Sequence, residues 1–161
     1  MTTRKIEILY DVFEADINLT AEDRSLLLKA REATKHSYSP YSQFRVGAAA
    51  RLSGGAIVTG SNQENASFPV GLCAERILLS SVIAQFPETA IETIAISYNN
   101  AKGKSDHPVS PCGICRQALS EFEIRTKKPI RLILGGMVGE ILVFNTVTHL
   151  LPLAFSGIEL R

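Results

Sequence analysis

Every cysteine of the chain lies in one of two short segments, Cys73-Ala74-Glu75 and Pro111-Cys112-Gly113-Ile114-Cys115, and this placement constrains the fold more than any other feature. Three cysteines are an odd number and cannot all pair with one another within one chain. In a reducing compartment their thiols stay free for a metal or for catalysis. The two-residue gap between Cys112 and Cys115 lets one helical turn offer two sulfurs to a single ion, and Cys73 supplies a third if the fold brings the two segments together. Each segment stands where a helix is expected to begin. A helix N-terminus carries unpaired N–H groups and the positive end of the dipole, so it favours the thiolate form that binds metal.

The hydrophobic pattern provides those helices. Thr20 followed by Asp23 resembles a capping box and predicts a helix to about His36, with Leu26, Leu27, Ala30 and Ala33 on its apolar side. Ser37 to Tyr41, with Pro40, breaks it. Phe44 to Leu52 and Ala56 to Gly60 read as strands joined by Ser53-Gly54-Gly55, a turn composition that favours an antiparallel hairpin. Glu75 to Phe86 is a helix ended by Pro87, and Ile91 to Tyr98 is an apolar strand. After a polar linker, Asn99 to Ser110, a third helix begins at Cys112 or Gly113 and runs through Phe122, followed by strands at Ile130 to Leu134 and Glu140 to Phe144. A further short strand is expected at Lys5 to Tyr10.

Such mixing predicts an α/β fold of three α/β/α layers with a mixed central sheet. No repeat or low-complexity tract divides the chain, so residues 1–161 are expected to form one domain, with 1–20 as an N-terminal extension of open role.

Composition narrows the partners. The formal net charge is +1 and no run of Lys or Arg exceeds two, so the broad positive field used to bind nucleic acid is not evident and a small molecule fits better. The N-terminal MTTRKIEILYDVFEAD lacks the apolar stretch of a signal peptide, and no later apolar run is long enough to span a bilayer. A cytoplasmic location without a membrane partner is expected.

Three protein ligands on a tetrahedral zinc leave one open position, the pattern of a catalytic site, and a water held there ionises near neutral pH. Glu75, two residues after Cys73, is placed to take a proton from that water and pass it to a substrate. Two plainer readings stand beside this one: a redox pair at Cys112 and Cys115, or a structural zinc site completed by a histidine. Both leave Glu75 unexplained, and His36, His107 and His149 show no ligand spacing to the cysteines. His107, just upstream of Pro111, is the one to check.

An acidic residue two positions after the first ligand, followed by Pro-Cys-x-x-Cys, is the arrangement of the zinc deaminases. From Tyr38 to the C-terminus the chain resembles the homotetrameric cytidine deaminase family. The resemblance is carried by Tyr38-Ser39-Pro40-Tyr41-Ser42-Gln43-Phe44-Arg45-Val46-Gly47, by Gly60-Ser61-Asn62-Gln63-Glu64-Asn65-Ala66-Ser67-Phe68, and by both cysteine segments extended to Arg76 and to Arg116-Gln117. It implies hydrolytic deamination of cytidine and deoxycytidine to uridine and deoxyuridine in pyrimidine salvage. Cys73, Cys112 and Cys115 would hold Zn2+, with Glu75 as proton shuttle to a zinc-bound hydroxide.

The resemblance further implies that Asn62 and Glu64 bind a ribose hydroxyl, that Phe44 packs on the pyrimidine, and that the backbone at Ala74 and Ser110 reads the base edge. It makes Arg76 a guanidinium that restrains the charge of the thiolates, and Phe155 a contributor to a neighbouring subunit's site in a homotetramer. Read without it, Asn62 and Glu64 are turn residues, Phe44 a core aromatic, Arg76 a surface arginine and Leu150 to Phe155 a cover for the chain's own core. Phe68 stands where the family commonly has tyrosine. Deaminases of nucleoside-like antibiotics such as blasticidin share the metal motif. Nucleic-acid editing deaminases differ in often leading with His-x-Glu and in carrying a basic channel.

Overall fold

A computed structural model describes residues 1–160; Arg161, the last residue of the expected domain, lies outside them. In chain order the elements are β1 (Asp11–Phe13), α1 (Ala21–Ala33), β2 (Phe44–Leu52), β3 (Ile57–Ser61), α2 (Ala74–Gln85), β4 (Ile91–Asn100), α3 (Gly113–Thr126), β5 (Arg131–Gly135) and β6 (Ile141–Phe144). The strands form one sheet in the order β1-β6-β5-β4-β2-β3. The β4–β5 pair is parallel and every other pair is antiparallel, so the sheet is mixed as expected.

Local chemistry accounts for the element ends. The Thr20 side chain accepts a hydrogen bond from the Asp23 N–H at 3.2 Å and so caps α1. Gly54 and Gly55 take φ of 108° and 88° in the β2–β3 turn, values that residues with a Cβ rarely adopt. Beyond α1, a 3-10 turn at Thr34–His36 carries the helical rise to the expected residue.

Strand alternation sorts the core into two faces. On one, Ala48, Ala50, Ile94, Ile96, Leu132 and Leu134 pack with Leu78, Leu79 and Val82 of α2 and Leu119 and Phe122 of α3. On the other, Ala49, Ala95, Ile133, Ile141 and Val143 pack with Leu26, Leu27 and Ala30 of α1. Helix α1 thus covers one face and α2 with α3 the other, which is the three-layer arrangement.

Topology explains why two distant segments meet. Because β2 is antiparallel to both β3 and β4, those two strands run the same way, and β4 and β5 are parallel. The crossovers through α2 and α3 therefore move in one direction across the sheet, and their shared handedness puts both helices on one face. Both helices also start beyond the C-terminal ends of the strands they follow, the edge where α/β sheets place their sites.

The N-terminal segment differs from its expectation. The strand forms at Asp11–Phe13, paired with Ile141–Val143, while residues 5–10 join no ladder. β6 is only four residues long, so it offers pairing positions to a short partner only. Residues 11–20 are nevertheless built into the fold: Leu19 is buried in the α1-side core, and Asp16 accepts a hydrogen bond from the Arg31 guanidinium. Strand β4 runs two residues beyond Tyr98, to Asn100. Among the described residues no helix is long and apolar enough to cross a membrane.

Candidate metal centre and substrate cleft

Cys73 is the N-cap of α2 and Cys112 the N-cap of α3, and neither helix has a side-chain cap there. Both thiols therefore sit beside orphan N–H groups at a positive dipole end. Cys115, one turn into α3, is buried beneath them. The three sulfurs lie within 4.8 Å of one another, and those of Cys73 and Cys112 are 3.8 Å apart. That spacing is far beyond the roughly 2 Å of a disulfide. It equals the roughly 3.8 Å expected between two sulfurs bound tetrahedrally to zinc at about 2.3 Å each.

The cluster's electrostatics suit a cation. A hydrogen bond from the Cys115 thiol is the largest influence on Cys73 and brings it down to about 7, while the same shared proton and burial push Cys115 up. One thiolate among close sulfurs is the charge pattern a divalent ion completes. The Arg76 guanidinium adds a smaller lowering influence on Cys73. Arg76 itself faces a shallow depression shared with Gly113, Ile114, Gln117 and Glu121, away from the cleft.

The cleft in front of the cluster has a volume of about 660 Å³, ample for a nucleoside-sized molecule. Cys73, Cys112, Glu75, Phe44, Asn62, Glu64 and Ser110 all line it. Glu75 is 5 % exposed, and burial holds its carboxyl above the ordinary carboxylate range. It joins no ion pair among the described residues, so its charge is left for whatever enters the cleft. Close packing fixes its helix: a Cβ on Gly60 of β3 would come within 2.6 Å of the Ala74 carbonyl oxygen and of the Leu78 nitrogen.

The polar wall is pre-arranged. Asn62 Oδ1 accepts from the Val46 N–H at 2.7 Å and the Ser37 hydroxyl at 2.6 Å, and Nδ2 donates to the Phe44 carbonyl at 2.9 Å. The Glu64 carboxylate accepts from the Tyr41 N–H at 2.8 Å; bonding with the Ser42 side chain is the largest cause of its lowered pKa. These two residues tie the start of β2 to the loop after β3.

Other expected residues fall differently. Ala74 is fully buried in the first turn of α2 and is not among the cleft-lining residues. Phe155 is 59 % exposed and lies outside the chain's own cleft, although its carbonyl accepts from Gln117 at 2.9 Å. His107 does not join the sulfurs; its ring lies against Tyr98. The reading of a structural zinc site with a histidine ligand accordingly lacks its fourth ligand among the described residues.

Sequence reasoning passed over two residues of this region. Arg116 donates through Nε to the Pro111 carbonyl at 2.8 Å and through a terminal nitrogen to the Leu150 carbonyl at 3.1 Å, fixing the approach to Cys112. Its adjacency to Cys115 was the available signal. Tyr98 stacks on Phe44 and lines the cleft, a role that nothing in the strand pattern announces.

Comparison with known proteins agrees with this site. Residues 20–128 match the family described as the cytidine and deoxycytidylate deaminase zinc-binding region, spanning all three cysteines and Glu75. The cytidine deaminase of Halalkalibacterium halodurans is 35 % identical over 140 residues, covering 86 % of this chain and 98 % of that protein. The blasticidin-S deaminase of Bacillus cereus is 29 % identical over 141 residues, covering 86 % and 96 %. The crystal structure of the Burkholderia pseudomallei cytidine deaminase superposes with a TM-score of 0.72 at 34 % identity, over 85 % of this chain and all of that one.

Proposed function

Since the chain belongs to the cytidine and deoxycytidylate deaminase family, whose zinc-binding region its Cys73, Cys112 and Cys115 complete, we propose that it hydrolyses the exocyclic amine of cytidine and deoxycytidine alike, releasing ammonia, with Glu75 as the proton shuttle. The observation that carries this reading is the buried Glu75 carboxylate, which joins no ion pair among the described residues, on the wall of a cleft that Cys73 and Cys112 also line.

Zinc, when bound, lowers the pKa of water toward neutrality and so supplies the nucleophile. Glu75 does the proton work: it takes one proton from the attacking water and gives it to N3 of the pyrimidine, then takes the second proton from the hydroxyl now on C4 and delivers it to the amine, so that C4–OH becomes C4=O as ammonia leaves. Its raised pKa helps, because a carboxyl that must both accept and return a proton works best nearer to neutral pH.

Phe44 packs on the base, and the backbone at Ala74 and Ser110 reads its edge. The oxygen of the Asn62 amide already accepts two hydrogen bonds, so its second N–H is the group offered to a sugar hydroxyl, with Glu64 as acceptor. Both address the 3′ hydroxyl that ribose and deoxyribose share. Arg76 restrains the charge on the thiolates.

The enzyme acts in pyrimidine salvage in the cytoplasm, as one domain per chain and four chains per assembly, with Phe155 entering a neighbour's cleft. The exposure of Phe155, Phe68 and Leu153 supports that assembly. Light scattering tests it: a mass of one chain excludes the tetramer.

Ammonia release from cytidine and deoxycytidine, with zinc stoichiometry measured on the same sample, tests the activity; a zinc-loaded protein inert toward both sinks it. The similarity to a blasticidin-S deaminase favours one second reading, so that antibiotic belongs in the substrate panel. A cytosine oligonucleotide converted as fast as free cytidine would move the substrate to nucleic acid.

A further inference from the structure

The first residue of β2 carries an aromatic ring that the backbone alone leaves poorly fixed. Phe44 pairs with Asn100, the last residue of β4, and follows Gln43, whose φ is 58°. Its ring is only half-buried. A ring at the end of a strand, next to a turn, has few neighbours to select its rotamer.

Tyr98 supplies the missing constraint. It faces Val46 across the ladder and is therefore the diagonal neighbour of Phe44 on the same face of the sheet. The two rings stack with centroids 4.9 Å apart and planes 15° from parallel. Tyr98 is 3 % exposed, so its hydroxyl needs a partner, and it finds one in the His107 ring, with Nδ1 3.3 Å away. His107 also meets the Tyr98 ring edge-on at 5.8 Å, and its Nδ1 lies 3.2 Å from Asp106 Oδ1. The sequence Asp106-His107 precedes Val109 and Ser110, which also line the cleft.

We propose that Tyr98 is a positioning residue: it sets the plane of the Phe44 ring against which the substrate's pyrimidine packs, and His107 latches it by the hydroxyl to the segment that leads into Ser110 and Cys112. This rests on the reading of Phe44 as the base-packing residue. Through the latch, one side chain ties the Phe44 ring to the segment that leads into Ser110. The consequence is a contribution to substrate binding from a residue outside the sulfur cluster.

Steady-state kinetics on the zinc-loaded enzyme, with cytidine as substrate, separate the possibilities. Tyr98→Leu is expected to raise KM by about 5- to 10-fold, the worth of an aromatic pair, with kcat changed less than about 3-fold. Tyr98→Phe keeps the stack but loses the latch and should raise KM by about 2- to 3-fold, the effect of one lost hydrogen bond. His107→Ala, an exposed position, should match Tyr98→Phe rather than Tyr98→Leu. In the Phe44→Ala background, Tyr98→Leu should add nothing further to KM.

A purely structural Tyr98 would lower the melting temperature without splitting KM from kcat, and that result overturns the proposal. So does additivity of the two substitutions. If Tyr98→Leu does not fold, the His107→Ala and Tyr98→Phe pair decides: unchanged KM in both removes the latch. If Phe44→Ala itself leaves KM unchanged, the base-packing reading fails first and the positioning role falls with it. A raised KM in Phe44→Ala beside a silent Tyr98→Leu sinks the positioning role alone.

Discussion

Two faces of one sheet bury charge in opposite ways. Under α1, the Asp23 carboxylate accepts from the Arg131 guanidinium, and Arg31 meets both Asp16 and, through Nε at 3.0 Å, the Gly136 carbonyl. Under α2 and α3, Glu75 is as deeply buried as Asp23 and Arg31 but joins no ion pair among the described residues, and its neighbours are sulfurs. A buried charge that is paired holds a structure in register, whereas one left unpaired beside an open cleft costs stability and persists where it serves chemistry. The α1 face is therefore the molecule's scaffold and the opposite face its reactive side.

Removing metal should separate the two faces most widely. Chelation is expected to abolish deamination while far-UV circular dichroism keeps its folded signal, since the apolar core does not depend on the sulfurs. Simultaneous loss of both would make the cluster part of the scaffold.

Next in size, Glu75→Gln should lower kcat by at least about 10²-fold while zinc stoichiometry is unchanged. The sign for stability is opposite. In the metal-free protein, burial raises the folded pKa of Glu75 above its unfolded value, so the ionised form opposes folding as pH rises past the unfolded pKa, and the neutral glutamine should raise the melting temperature of that form. By the same shift, the Glu75 carboxyl of the metal-free protein should titrate above the ordinary carboxylate range, as read from its carboxyl carbon NMR signal. A titration at or below that range in the metal-free protein would contradict the burial argument.

On the scaffold face the pattern reverses. Asp23→Ala strands the Arg131 guanidinium and should cost about 2 kcal/mol, or roughly 4–8 °C in melting temperature, with kcat and KM unaffected. A large kinetic effect would show that the two faces are not independent. Smallest, Thr20→Ala removes the cap of α1 and should cost about 1 kcal/mol in chemical denaturation, again without a kinetic signature.

The reactive side was the more legible of the two in the amino-acid sequence. Cys73 and Cys112 stand at helix starts that periodicity and Pro placement reveal locally, and the convergence of both follows from crossover handedness. The scaffold's ion pairs join Asp23 to Arg131 and Arg31 to Asp16, contacts that no local pattern encodes. The strand expected at Lys5 to Tyr10 illustrates the limit. Those residues have strand composition, but pairing is decided by which positions of β6 are open, and these receive Asp11 to Phe13. Tyr98 reads as one more apolar strand residue because its partners, Phe44 and His107, come from separate stretches of chain.

Gly60 links the scaffold to the chemistry without belonging to either. With no side chain there, the first turn of α2 rests directly on β3, and the height of that helix above the sheet is set by backbone against backbone. One added methyl group at this position would act as a shim, tilting the end that carries Cys73 and Glu75 while leaving Cys112 and Cys115 where they are. A variant of that kind would misalign its sulfurs, and its defect would look like a weakened hold on metal in a protein with every ligand present.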